Sequence, residues 1–159
     1  MTAGREIPGS QFFCPSQRSN VISMSTNAIL CVDDEAIILM SMVNELRRNF
    51  GDVFIYEKAI NPEEAFEVIE DLLSDGIEVV LVISDWLMPG MRGDEFLQRI
   101  NRKYPDINSI LITGMADADS IERTLSISSV VTVLKKPWRP EQLIKAVKDC
   151  CADKLDMRN

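Results

Sequence analysis

Five short apolar runs, rich in β-branched residues and unbroken by polar alternation, constrain this chain most: Ala28 to Val32, Val53 to Tyr56, Val79 to Ile83, Ile110 to Ile112 and Val130 to Leu134. A strand with one face in water alternates apolar and polar residues. A continuous run suits a strand buried on both faces, as in a parallel sheet covered by helices. The stretches between the runs are amphipathic at helical spacing. Ala36, Leu39, Val43, Leu46 and Phe50 recur every three or four residues, and Gly51 follows as a stop signal. Asn61, Pro62, Glu63 and Glu64 supply a cap, a first-turn proline and first-turn acids ahead of Ala65, Ile69 and Leu72. Phe96, Leu97 and Ile100 mark a third helix. A fourth, Asp117 to Ser126, offers only Ile121 and Leu125 as strong apolar anchors and is expected to be the least firmly held. A fifth begins at Pro140 and continues through Leu143, Ile144, Val147 and Cys151. Five strand-then-helix units predict an α/β, doubly wound parallel sheet, because each parallel pair needs a crossover and crossovers are right-handed. The spacing leaves the strand order open.

The pattern starts at Asn27. Residues 1–26 mix Gly, Pro, Ser, Gln and Asn without an apolar period and read as a flexible N-terminal tail, residues 27–152 as one domain and 153–159 as a short C-terminal tail. The total of 159 residues suits a single domain with a full core. With only about seven residues after the fifth helix, a stand-alone domain is expected. Val79 to Ile83 is far too short for a bilayer, which needs about 20 residues. Cys14, Cys31, Cys150 and Cys151 form no CxxC pair, and the first 26 residues lack a signal-peptide pattern, so reduced thiols and a cytoplasmic location are expected.

Charge and composition narrow the chemistry. Lys and Arg number 17 against 25 Asp and Glu, a net charge of -8 that argues against non-specific grip on nucleic acid or anionic membrane. The chain contains no His, which excludes Ser-His-Asp and Cys-His triads, His-ligated zinc and a phospho-histidine relay starting within it. Carboxylate, hydroxyl and lysine chemistry remain.

In open α/β sheets, ligands bind outside the carboxyl ends of the strands. There the first strand ends in Asp33-Asp34, the third in Asp85, the fourth in Thr113-Gly114 and the fifth in Lys135-Lys136-Pro137. Three converging carboxylates repel one another unless a cation is present. Hard oxygen ligands with few neighbours suit Mg2+, which keeps several waters and borrows oxygens from a phosphate. A lysine and a hydroxyl on neighbouring strands would complete a phosphoryl site. The candidate nucleophile is a carboxylate, since aspartyl phosphates are established covalent intermediates and phosphoryl transfer demands mainly positioning and charge neutralisation.

Each element also has a plainer reading. Asp33-Asp34 before a helix is a natural N-cap, Thr113-Gly114 a turn, and Lys135-Lys136 a solvated pair. Met88-Pro89-Gly90 reads as a β-turn with proline at the second position. Trp86 and Trp138 read as packing residues or partner contacts. Gly90 to Gly93 is not a dinucleotide fingerprint, because GxGxxG is missing.

The segments CVDDE, ISDWLMPGMRGDEFL, ILITG and VLKKPW, in that order and spacing, resemble the receiver (response-regulator) domain of bacterial two-component signalling over about residues 27–152. The resemblance implies a flavodoxin-like (βα)5 fold with strand order 2-1-3-4-5. It implies that Asp85 is the phosphoacceptor, that Asp33 and Asp34 hold Mg2+ together with Asp85 and the backbone carbonyl of Leu87, and that the Thr113 hydroxyl bonds the phosphoryl group. Lys136, directly before Pro137, matches the lysine that pairs with the phosphoryl group, across a cis Lys136-Pro137 bond. Lys135 competes for that role, but neighbouring side chains on a strand point to opposite faces, and proximity to Pro137 favours Lys136. Two positions depart from the pattern. Val133 stands where many receivers carry a Tyr or Phe that swings inward, and Gly114 replaces the frequent Ala after the threonine.

The expected function is therefore a phosphorylation-controlled switch, loaded by a sensor histidine kinase or phosphotransfer protein and read by a downstream protein target. Homodimerisation through the fourth and fifth helices is a further expectation. The chain is not expected to be an enzyme beyond slow self-dephosphorylation. Two other classes stand beside this one. The first is a scaffold that is never phosphorylated, against which the full set of Asp33, Asp34, Asp85, Thr113 and Lys136 speaks. The other is a metal-dependent phosphatase, which would carry a second acid two residues after the acceptor, where this chain has Leu87. The DWLMPGM and KPW wording resembles receivers attached to cyclic-dinucleotide phosphodiesterases or hybrid kinases.

Overall fold

A computed structural model of the chain describes residues 26–114, 117–127 and 129–156. The elements in chain order are β1 (Asn27–Val32), α1 (Ala36–Phe50), a 3-10 turn (Gly51–Val53), β2 (Ile55–Ala59), α2 (Pro62–Ser74), β3 (Glu78–Asp85), α3 (Gly93–Lys103), β4 (Asn108–Thr113), α4 (Ala118–Leu125), β5 (Val130–Lys135), α5 (Pro140–Cys150) and α6 (Ala152–Asp156). All strand pairs are parallel and the sheet order is β2-β1-β3-β4-β5, the order implied by the resemblance.

The continuous apolar runs map onto the sheet centre. Every residue from Ala28 to Val32 and from Val79 to Asp85 is buried. Alternate side chains feed two cores. Ile29, Cys31, Leu81, Ile83 and Ile110 pack under Leu39, Leu46, Leu143 and Val147 of α1 and α5. On the other face Leu30, Val32, Val82 and Leu111 meet Ile69, Phe96, Leu97 and Ile100 of α2 and α3. Phe66 meets Phe96 edge-on at 5.5 Å between ring centroids, a favoured aromatic geometry. The register between β1 and β3 shifts between Ala28 and Ile29, so Ala28 pairs with Val79 and Ile29 with Leu81. Such a shift lets Val80 and Leu81 both join the α1/α5 core.

The outer strands correct the expectation that all five runs are buried on both faces. β2 is an edge strand with Ile55, Tyr56 and Glu57 half-buried and Lys58 exposed. An edge strand has a neighbour on one side only. The second run is also displaced: Val53 belongs to the 3-10 turn, and the strand begins at Ile55. Gly51 ends α1 as expected, at φ 54, with its N–H donating to the Arg47 carbonyl. Asn61 caps α2, its Oδ1 accepting the Glu64 N–H at 2.7 Å.

A second correction concerns α4. Leu125 is exposed and Ile121 half-buried, while Ser120 and Thr124 turn inward. The Thr124 hydroxyl satisfies itself by donating to the Ser120 carbonyl at 2.9 Å, which makes its burial affordable. Small polar residues thus form the inner face where apolar anchors were expected. Thr26, just ahead of β1, is bonded to β3, its carbonyl accepting the Glu78 N–H at 2.7 Å. The rest of the expected N-terminal tail, with Phe12, Phe13 and Cys14, lies outside the described residues, as do residues 157–159. Residues 153–156, expected in the C-terminal tail, lie in α6, with Leu155 against the α1/α5 core and Lys154 paired to Glu78.

Candidate functional site

Parallel strands carry their terminal residues to one edge, and backbone bonds fix their relative height. The Asp33 N–H donates to the Ala59 carbonyl at 3.1 Å, that of Trp86 to Ile112 at 2.7 Å and that of Lys136 to Thr113 at 2.7 Å. These bonds tie the end of β1 to β2 and the ends of β3, β4 and β5 to one another, and the β1–β3 ladder, paired as far as Val32 and Ser84, joins the two sets. Each carboxylate of Asp33, Asp34 and Asp85 offers an oxygen, and the three oxygens lie within 4.8 Å of one another. Asp33 and Asp85 are buried while Asp34 is exposed, so the cluster opens to solvent on one side.

Lys136 closes the other side. Its Nζ lies 2.9 Å from Asp85 Oδ1 and 3.3 Å from Asp33 Oδ2. Lys135 is exposed, as alternation along β5 requires. The Lys136-Pro137 peptide is cis. The Asp33 Oδ1 also accepts the Glu35 N–H at 2.8 Å, an Asx-type bond two residues on. The N-cap of α1 is Glu35, with no side-chain cap bond, so the N-cap reading of Asp33-Asp34 does not hold.

Burial dominates the electrostatics. It raises the Asp33 carboxyl above its ordinary value; the charge of Asp85 adds to this, while the Glu35 amide and Lys136 pull it back. Burial likewise raises Asp85, against the hydrogen bond and charge of Lys136, and Asp34 raises it further. Lys136 is raised: burial lowers it, but the hydrogen bond it donates to Asp85 and the charges of both aspartates outweigh that. Two desolvated carboxylates share one cation, so the site retains uncompensated negative charge.

Thr113 is buried at the end of β4 and pairs in register with Lys135. A Cβ on Gly114 would meet Lys136 Cβ at 3.9 Å, an ordinary contact, so the space beside the lysine is open. Leu87, two residues beyond Asp85, has its side chain 68% exposed and thus no core to pack. Val133 is half-buried and packs against the core beneath α2 and α3. Trp86 is likewise half-buried there, with the Arg92 guanidinium 5.4 Å from its ring centroid. Trp138 packs against the opposite core and donates its Nε1–H to Glu45 Oε1 at 3.3 Å.

Gly93 is the residue that reading the strand ends overlooks. Its N–H donates to the Trp86 carbonyl at 2.7 Å, folding the loop from Asp85 back onto the strand end. A Cβ there would fall on the Asp85 carbonyl oxygen and 2.9 Å from Leu111 Cδ1. Only glycine allows α3 to start so close to the end of β3. Gly90, in the same loop, follows Pro89 at φ 87, the conformation of a turn with Pro and Gly at its centre.

Comparison with known proteins gives the same picture. A family model described as the response regulator receiver domain matches residues 29–148. The sensor kinase CckA of Brucella abortus is 34% identical over 121 residues, covering 76% of this chain and 12% of that protein. The hydrogenase transcriptional regulatory protein HoxA of Cupriavidus necator is 31% identical, covering 76% of this chain and 23% of that protein. The chain thus spans under a quarter of the length of these two relatives. Among solved structures, the signal receiver domain of an HD domain-containing protein from Pseudomonas fluorescens Pf-5 superposes with a TM-score of 0.69 at 28% identity, covering 82% of this chain and 98% of that one. Fold, strand-end chemistry and family model agree: this chain belongs to the receiver domain family of two-component response regulators.

Proposed function

We propose that this receiver accepts a phosphoryl group on Asp85 and signals through protein contact. The observation that carries the reading is the convergence of three carboxylates and one lysine, with Lys136 Nζ 2.9 Å from Asp85 Oδ1. These 159 residues hold no His, so the phosphohistidine donor lies outside them, on a sensor histidine kinase or phosphotransfer protein. An Asp85 carboxylate oxygen attacks phosphorus, the P–N bond to the donor imidazole breaks, and the imidazole keeps the electron pair and takes up a proton. No base is needed, because the nucleophile is already a carboxylate.

The donor set fits Mg2+: three oxygen ligands from side chains, two of them desolvated, on a site open to water at Asp34. Asp33, Asp34, Asp85 and the Leu87 backbone carbonyl are the residues to hold it. Bound there, Mg2+ supplies neutralisation of the charge on the phosphoryl oxygens. Lys136 exchanges its Asp85 contact for a phosphoryl oxygen, and the Thr113 hydroxyl donates to another. With valine at position 133, output runs through α4 and its flanking loops rather than through a rotating ring.

In this reading residues 27–152 are the signalling unit in the cytoplasm, with a tail before them and α6 packed onto their C-terminal end. No helix among the described residues is long and apolar enough to cross a membrane. The target is a protein, and phosphorylation favours a homodimer through α4 and α5. No turnover is assigned beyond slow hydrolysis of the chain's own acyl phosphate. The test is incubation with a small-molecule phosphodonor or beryllofluoride plus Mg2+, read by intact mass and tryptophan fluorescence. A Mg2+-dependent change that Asp85→Asn abolishes supports the reading. No change in the parent protein would leave a non-phosphorylated scaffold, and turnover of a generic phosphate ester would indicate a phosphatase.

A further inference from the structure

A groove of about 470 Å3 between α3 and α4 is lined by four arginines, Arg92, Arg99, Arg102 and Arg123. The whole chain holds ten arginines and carries a net charge of -8, so this concentration of positive charge runs against the rest of the molecule. None of Asp33, Asp34, Asp85, Thr113 or Lys136 lines it. We propose that the groove binds a compact polyanion carrying two or more phosphate groups.

Helical spacing assembles the site. Arg92, Glu95, Arg99 and Arg102 follow one another at three or four residues, so they form one stripe along α3, roughly 15 Å from end to end. Arg123 projects from α4 across the groove, and inward-facing Thr124 helps line it. The arginines are available. Arg102 makes no hydrogen bond or ion pair among the described residues, and Arg123 donates only to Ser120 Oγ, at 3.0 Å. Arg99 pairs with Glu95 at 3.1 Å and Arg92 with Asp94 at 2.9 Å, but these arginines are more than half exposed, and such pairs exchange readily with a stronger anion.

The walls select the ligand class. The lining is dominated by charged side chains, which disfavours an apolar ligand. The volume falls in the range of roughly 300 to 1,000 Å3 typical of small-molecule sites. Planar guanidinium forks match phosphate oxygens in pairs, and a stripe this long reaches past a single phosphate. Glu95 and Asp94 also lie on the groove and repel the carboxylates of an acidic peptide as well, but phosphates recover more from the arginine forks.

Trp86 reports on the site, because the Arg92 guanidinium lies 5.4 Å from its ring and moves if an anion draws it away. A Trp138→Phe background leaves Trp86 as the sole tryptophan. Inorganic tripolyphosphate is titrated in EDTA at constant ionic strength, beside sulfate and a polyglutamate peptide. The expected result is a saturable fluorescence change with tripolyphosphate, with affinity about tenfold weaker in Arg102→Ala and in Arg123→Ala. Both side chains are exposed, so circular dichroism should show an intact fold, and Arg47→Ala on α1 should bind like the background. No saturation, an equal response to sulfate, unchanged binding in both groove variants, or tighter binding of polyglutamate would each overturn the proposal.

Discussion

Lys136 Nζ sits 2.9 Å from Asp85 Oδ1, a pair in which the carboxylate is 7% and the lysine side chain 24% exposed. Among the described residues the lysine is the only cation in an ion pair with either buried aspartate, its second contact being to Asp33 at 3.3 Å. Removing it leaves two desolvated carboxylates without a cation. Lys136→Ala should therefore destabilise the Mg2+-free protein by about 1 to 3 kcal/mol, below the full buried-pair cost because the lysine reaches solvent. Urea unfolding with and without Mg2+ checks this, and Mg2+ should recover part of the loss. An unchanged midpoint would mean that the pair contributes nothing to the fold.

The reverse substitution carries the opposite sign. In Asp85→Asn one of three mutually repelling carboxylates is gone, and Lys136 still has Asp33. The variant should be more stable than the parent without Mg2+, because burial and the neighbouring Asp34 charge raise the Asp85 carboxyl and make its ionised form costly to the fold. Mg2+ should stabilise the parent and have little effect on the variant, by linkage to the proposed metal site, which loses one of its three carboxylates. Thermal melts in EDTA and in millimolar Mg2+ separate the two. Equal stabilisation of both proteins by Mg2+ would remove Asp85 from the metal site.

Burial also sets the alkaline limit of the fold. It pushes the Cys31, Cys150 and Cys151 thiols and the Tyr56 phenol up to about 12, from 9.0 and 10.0. Below about pH 8 both folded and unfolded states hold these protons. As pH rises towards 12 the unfolded chain releases them and the folded one resists, so the folded state binds more protons and stability falls. Each group costs up to about 1.4 kcal/mol per pH unit within its window. The urea midpoint should drop steadily from pH 8.5 to 10.5, and Cys31→Ala should flatten the slope. A midpoint independent of pH over that range contradicts the assignment.

Residue type and position at the strand ends carried much of the site. Asp33, Asp34, Asp85 and Lys136 were legible because parallel strands deliver their ends to one edge, whichever order the strands take. The order itself was not in the spacing, since crossover lengths alone do not say which side of β1 each new strand joins. The displaced start of β2 has a local cause: Val53 is apolar, yet Gly51 at φ 54 winds the chain into a 3-10 turn first. The inner face of α4 was misjudged because Thr124 can satisfy its hydroxyl on its own helix, a bond that hydrophobic periodicity does not register. Gly93 escaped notice for a different reason. What it must avoid, the Asp85 carbonyl and Leu111, lies on two strands that meet it only after folding.

That close approach gives the sharpest contrast between two glycines of the same site. At Gly93 an added methyl falls on backbone, the Asp85 carbonyl, and backbone at a strand end cannot yield as a flexible side chain can. At Gly114 the nearest atom is Lys136 Cβ at 3.9 Å. Gly93→Ala should therefore cost about 1 to 3 kcal/mol, typical of overpacking, and displace α3 from the end of β3. Gly114→Ala should change stability by less than about 0.5 kcal/mol. The consequence reaches the chemistry, because the carbonyl that must move belongs to the proposed acceptor. Gly93→Ala should slow Mg2+-dependent phosphorylation of Asp85 by small-molecule donors even at temperatures where the variant stays folded, while Gly114→Ala should leave the rate within about twofold, since displacing a reacting group by about 1 Å can cost on the order of a hundredfold. Paired rates for the two variants, with folding checked by circular dichroism, decide the matter. Equal rates would show that Gly93 serves packing alone and that the acceptor tolerates movement of its own backbone.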